Sequence, residues 1–269
     1  VSYRGLALAP FALLAASVAA FLLAPASAQG LVLQLEVDAS KLLAFAGLAA
    51  AALAFDRGDY LRRGWGLAAG NYVFLLARDA TLPLAGHVSA LVYEGTRGVL
   101  VTAGNVLLVV GSWTLARAWS VAGLEHPGSK GARRAIVAAA VLASLLFVGP
   151  TVLVDLKGLA SGTSMRFDML GSDLGDLLAL PIVAPVALTA LAVQGGTLRW
   201  PWTLFAASLL AWLLYDAVYT VPDYLSVDAV PWRLASEQLH VLAGLLAGAA
   251  GLAQRRAVTE DEGEPEVEG

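Results

Sequence analysis

Five polar or ionisable residues recur at helical spacing in an otherwise apolar stretch: His87, Glu94, Arg97, Asn105 and Ser112. On a helical wheel they fall within about 80° of one another, so one helix would carry a polar face along most of its length. Glu94 and Arg97, three residues apart, are spaced to pair along that helix. A face of this kind lines a cavity or binds a polar ligand. The alternative is a surface ion pair, with Asn105 and Ser112 hydrogen-bonding between helices. Two aspartates, Asp79 and Asp216, each close an apolar stretch, preceded by Arg78 and Tyr215. They read as symmetric gate or ligand residues, or as acids placed where a helix meets water. Ser208, Trp212, Tyr215 and Tyr219 share a face of another helix, as interfacial anchors or as an aromatic wall for an organic ligand. Glu237 and His240 stand one turn apart in the last apolar stretch, ahead of Gly244 and Gly248, whose spacing suits close helix packing.

Two facing histidines, His87 and His240, could hold a haem or a metal. The chain has only three histidines, and the third, His126, lies among loop charges. A hydrogen-bonded histidine accounts for either position, so no cofactor and no metal is expected. There is no cysteine, which removes disulfides, thiolate metal sites and cysteine nucleophiles. No HExxH pair, phosphate-cradling glycine loop or GxSxG elbow occurs. No catalytic residue is assigned.

The elements that hold these residues must be membrane helices. The chain is 58% hydrophobic and 14% charged, with a mean hydropathy of +0.72, whereas soluble domains carry about 25% charged residues. A net charge of −4 with scattered acids argues against a nucleic-acid partner. Residues 1–28, with one arginine, a long apolar run and Ala26-Ser27-Ala28, read as a signal peptide or as an uncleaved first helix. The pattern then predicts an all-α integral membrane fold of seven transmembrane helices, at about 39–55, 64–79, 92–115, 135–155, 174–193, 202–220 and 235–253. Asp173 and Asp176 fall near the start of the fifth, where acids suit the helix dipole. Pro181 and Pro185 should bend that helix and free carbonyls that need other donors. Gly149-Pro150 is a similar weak point in the fourth. Residues 258–269 form an acidic tail expected to be disordered.

One set of loops contains ten lysines and arginines, from Arg57 to Arg256. The other contains Lys157, Arg166 and Arg233, with Lys41 and Arg78 at its boundary. The positive-inside rule makes the first set cytoplasmic. The chain is thus expected in the cell (cytoplasmic) membrane, with the mature N-terminus outside and the C-terminus inside. An offset of 137 also superposes residues 58–80 on 195–217, matching Gly58, Leu61, Arg62, Trp65, Leu67, Ala69, Leu76, Asp79 and Ala80 with identical partners. Both segments run from inside to outside, so the copies are parallel. The architecture expected is a three-helix repeat at about 39–116, a linker helix at about 135–155, and a second repeat at about 174–253.

Three helices, one helix and three more, with an outside N-terminus, resembles the SWEET sugar transporters and the wider PQ-loop group. The likeness is one of topology. The group's Pro-Gln pair is missing where ALAFDRG and ALAVQGG stand, so no residue role is carried over. The likeness implies transport, and parallel repeats place a site near their interface. A small-solute transporter or permease is the leading expectation, with the lipid bilayer and a small polar solute or ligand as partners. A membrane-embedded sensor or receptor signalling through a separate protein partner is the alternative. A structural subunit of a membrane complex is the third reading, and a homo-oligomer stays open under each. The ligand or pathway residues expected are Glu94, Arg97, Asn105, Asp79, Asp216, Tyr215, Trp212 and His240.

Overall fold

A computed structural model describes residues 2–121, 129–162, 167–192, 196–225 and 228–261. Among them the secondary structure is helical, with no strand. The elements are α1 (Tyr3–Leu23), α2 (Gln29–Leu53), α3 (Tyr60–Asp79), α4 (Ala90–Val121), α5 (Lys130–Phe147), α6 (Gly149–Ala160), α7 (Phe167–Ala192), α8 (Arg199–Leu225) and α9 (Ala229–Asp261). In hydrocarbon every backbone N–H and C=O must be satisfied within the segment, so helices are the economical fold for stretches this apolar. Polar residues mark where helices begin. The Asp59 carboxylate accepts from the Leu61 N–H at 2.6 Å, and the Ser129 hydroxyl from the Ala132 N–H at 3.1 Å. Gly58, at φ 99°, makes the turn into α3 in a left-handed conformation that a side chain would strain.

Six helices close into a ring. α2 packs against α3 and α9, α3 against α4, α4 against α7, α7 against α8, and α8 against α9. α1 lies outside the ring on α9, while α5 and α6 lie outside it on α7. Outward faces carry apolar side chains in the open, among them Leu8, Phe11, Leu146, Phe147 and Val154. That is the pattern of a protein solvated by lipid tails.

Three helices are long and apolar enough to cross a membrane: α1, α4 and α8. The number rises to five when two bent pairs each count as one span. One pair is Lys130–Phe147 with Gly149–Ala160, which meet at 40°. The other is Met169–Ala179 with Pro181–Ala192, which meet at 41°. The expected linker helix is therefore broken where Gly149-Pro150 stands. The bend in α7 falls at Pro181, which has no N–H for the carbonyl of Leu177. The Ser144 hydroxyl of α5 donates to that carbonyl instead, at 2.7 Å. The remaining ring helices α2, α3 and α9 are long but carry charges.

Two boundaries differ from the sequence expectation in a way that matters. α2 begins at Gln29 rather than near 39, and α7 at Phe167 rather than near 174. Apolar runs mark lipid contact, whereas these helices continue for several turns with polar residues turned inward. Lys41 is consequently no helix-start residue. It lies about 18 Å along α2 at 1.5 Å per residue, and it is fully buried. Asp173 and Asp176 likewise sit about 1.7 and 2.5 turns inside α7, beyond reach of a helix-start role. His87 precedes α4 in an exposed loop, its Nδ1 3.3 Å from the Ala85 carbonyl, so it is not part of the polar face of α4. Of the tail, residues 258–261 continue α9, and 262–269 lie outside the described residues.

The two halves of the ring meet through glycine. A Cβ on Gly47 of α2 would fall 2.2 Å from the Gly248 carbonyl oxygen of α9, and one on Gly251 would fall 2.2 Å from Gly47. Across the ring, a Cβ on Gly98 of α4 would meet Phe167 of α7 at 2.7 Å. At both seams the backbones approach closely because no side chain intervenes.

Candidate functional site

Two connected cavities lie along the ring axis. The wider, about 360 Å³, is lined from all six ring helices: by Gln34, Val37 and Lys41 of α2, Arg78 and Asp79 of α3, and Arg97 of α4. Ser172 and Asp173 of α7, Tyr215, Asp216 and Tyr219 of α8, and Glu237 and His240 of α9 complete the wall. These residues come from the first halves of α2, α4, α7 and α9 and the second halves of α3 and α8, so they share one half of the bundle. The narrower cavity, about 60 Å³, continues to mid-bundle between Asn71, Asn105, Asp176, Trp212, Asp216 and His240. Arg78, Ser172, Tyr215, Asp216 and His240 line both and form the neck between them. Beyond it the ring is filled. Trp65 of α3 meets Trp202 of α8 with centroids 6.2 Å apart, and Phe205 packs edge-on to Trp65 at 5.3 Å.

The cavity wall divides by charge. On the α2–α3 side the Lys41 ammonium is ion-paired with Asp79, which also accepts from the Arg78 guanidinium at 2.7 and 2.8 Å. Arg97 donates to the Arg78 carbonyl at 3.3 Å and lies over the Tyr93 ring. Two cations around one carboxylate, with Arg97 beside them, make this side positive. On the α7–α8 side Asp173, Asp176 and Asp216 make the wall acidic. The Asp176 and Asp216 side chains are hydrogen-bonded to each other. A carboxylate can only accept, so a bond between two carboxyls requires a proton on one of them.

His240 stands between these sides. Its ring packs against Trp212 at 4.4 Å and Tyr215 at 5.0 Å, and its Nδ1 is 3.3 Å from Glu237. Its Nε2 is buried without a hydrogen-bond partner. The Trp212 N–H donates to the Tyr72 hydroxyl at 3.3 Å, so the aromatic face of α8 turns inward at this level. Asn71, 1% exposed, has neither its amide oxygen nor its nitrogen bonded to any group. Buried polar atoms are ordinarily satisfied. Those of Asn71 and His240 line the narrow cavity, which is where a ligand's polar groups would meet them.

Of the residues expected from the sequence, Asn105, Trp212, Tyr215, Asp216 and His240 line the inner cavity, while Arg97 and Asp79 line the outer one. Asn105 also donates to the Gly171 carbonyl of α7 at 3.1 Å. Glu94, half-buried near the start of α4, lines neither cavity, and Ser112 is buried farther along the helix. Lys41, Asn71, Tyr72 and Asp176 were missed as site residues. A lysine flanked by Asp38 and Ser40, and an Asp-x-x-Asp ahead of two prolines, were signals for two of them. Nothing in GNYVF distinguishes Asn71 as cavity-lining. Among the described residues no group of three or more His, Cys, Asp or Glu is arranged to hold a metal ion. No protein-family model matches the chain, and no characterised protein or solved structure is significantly similar to it.

Proposed function

We propose that this multi-pass membrane protein carries a small polar solute across the bilayer, and that the axial cavity is its binding site. The observation that carries the reading is the inner cavity itself. Its polar wall reaches the middle of a six-helix ring and holds the unpaired amide of Asn71 and Nε2 of His240. Burial of unsatisfied polar atoms costs about 1–3 kcal/mol each, a cost that a bound solute would offset. The sequence repeat adds support. In the ring, α2, α3 and α4 correspond to α7, α8 and α9, and each triplet meets the other along a glycine-packed seam. Smooth seams suit rocking of one triplet against the other, as in transporters built from repeats. In this reading the seven helices α2 to α9, with α5 and α6 as one broken span, all cross the bilayer. The cavity end faces outward and the C-terminus lies in the cytoplasm.

A receptor is the second reading, favoured by the Trp65–Trp202–Phe205 cluster that fills the ring beyond the cavity. A ligand would then enter and leave from one side, and a separate protein would relay the signal. The absence of cysteine allows a clean test. Single cysteines replace Asn105 in the inner cavity and Thr189 in the filled half, in intact cells and inverted vesicles treated with a membrane-impermeant maleimide. Transport predicts labelling of the 105 position from both sides and of the 189 position from the cytoplasmic side. Labelling at 105 from outside alone, with 189 silent, would replace transport by the receptor reading.

A further inference from the structure

Asp176 and Asp216 come from adjacent helices and meet inside the membrane. Both line the inner cavity, and Asp216 also lines the neck. Both border the cavity, so a proton there can exchange with solvent that enters it. The same cavity holds the unpartnered Asn71 amide and His240 Nε2, so the acids lie in a space built to take a ligand. We propose that the Asp176–Asp216 pair is a proton-binding site that couples occupancy of the cavity to proton uptake and release. This rests on the reading of the cavity as a solute site and names the ion coupled to it.

The groups facing the pair set how it works. On α7 there is Asp173, whose negative charge lies near both carboxyls. On α8 Tyr215 and Tyr219 flank Asp216, and on α9 Glu237 and His240 stand opposite. From α3 come Arg78, at the shared neck, and Asp79; from α2 comes Lys41; from α4 come Arg97 at the mouth and Asn105 deeper in. α5 and α6 pack on the outer side of α7 and contribute no group to the cavity lining. With one shared proton the pair has a charge of −1 and a hydrogen bond ties α7 to α8. Loss of the proton breaks one carboxyl O–H bond, passes H⁺ to a cavity water, and leaves two carboxylates with a charge of −2. Like charges at this range repel strongly where solvent is scarce. The repulsion acts on α7 only five residues before Pro181, where that helix bends. Approach of a cation favours the released state, whether it is the Arg78 guanidinium or a positive group on the solute. Protonation therefore locks the two helices together, and release frees them to move apart.

The test needs no knowledge of the solute. The full chain in lipid nanodiscs is studied by infrared spectroscopy, reading the C=O stretch of protonated carboxyls and its downshift in D2O. The expected result is a band from one carboxyl per chain at pH 7 that shifts in D2O and bleaches as pH rises. It is lost in both Asp176→Asn and Asp216→Asn, and is unchanged in Glu260→Gln at the far end of α9. Exchanging sodium for potassium leaves it unaltered. Absence of the band in the unmodified protein at pH 7 would overturn the proposal, as would its survival in both Asn variants or its loss with sodium. The unmodified protein alone thus decides the matter if a variant fails to fold. Because the band is read without solute, it stands or falls separately from the labelling test of transport.

Discussion

Asp79 and Asp216 occupy the same position in a sequence written twice, yet the fold gives them opposite surroundings. Asp79 is gripped by Lys41 and Arg78, whereas Asp216 faces another acid, Asp176. The first aspartate neutralises charge that α2 and α3 bring into the bundle interior, so its role is to hold the wall together. The second adds charge to a wall already acidic, which is destabilising unless a proton or a cation joins it. The two segments share the residue type at this position; the neighbours separate the roles. Lys41 has no counterpart in the second triplet, where the offset places Leu178.

The sharpest way to break this comparison is to remove the carboxylate that is paired with cations. Asp79→Asn leaves the Lys41 ammonium buried without its counter-charge and should cost about 3–5 kcal/mol. This would be seen as a large fall in thermal midpoint of the detergent-purified protein, or as its loss during expression. Replacing both partners, Lys41→Met with Asp79→Leu, should recover part of that stability, because the fully buried ammonium is gone while the less buried Arg78 loses its carboxylate. A double variant as unstable as the single one would show that the pair does more than cancel charge.

Next in size is the seam that lets α2 and α9 approach. Gly251→Ala places a methyl 2.2 Å from backbone atoms of Gly47, and should cost about 1–3 kcal/mol as the helices are forced apart. Thermal unfolding measures it, and a change within error would mean the seam is looser than the structure has it.

Asp216→Asn is expected to change stability by less than about 1 kcal/mol, since removing one of two facing acids exposes no buried cation. The same substitution should nevertheless abolish cavity function. A fall in stability matching that of Asp79→Asn would erase the distinction between the two aspartates.

The smallest effect belongs at the exposed end of α9. Arg256 donates to Glu260 at 2.5 Å, and the Tyr3 hydroxyl donates to the same carboxylate at 2.9 Å. The hydrogen bond from Arg256 holds the Glu260 carboxyl below its ordinary range, with Tyr3 adding to the effect. A depressed carboxyl contributes above its unfolded-state value, and that contribution is lost as pH falls through the folded one. The group is exposed and screened, so Glu260→Gln should leave the melting temperature unchanged at neutral pH, and equally so in acid.

The helical class was legible from the sequence because hydrocarbon permits few other arrangements for stretches this apolar. The α7 bend and the α5–α6 break were legible because proline removes a donor wherever it falls. Trp212, Tyr215, Asp216 and His240 could be singled out because polar and aromatic groups inside apolar runs are costly and few. Where α2 and α7 begin was not legible, since a helix that turns polar residues toward an internal cavity looks like a loop to any measure of apolarity. That error put Lys41 and Asp176 near helix starts rather than well inside α2 and α7, and hid both charge pairs. Which acid meets a cation and which meets another acid depends on contacts between α2 and α3 and between α7 and α8. Such contacts join residues 38 and 40 positions apart, and local pattern does not encode them. The sequence by itself determined how many polar groups the membrane would have to accommodate; only tertiary packing decided which of them neutralise each other and which are left for a ligand.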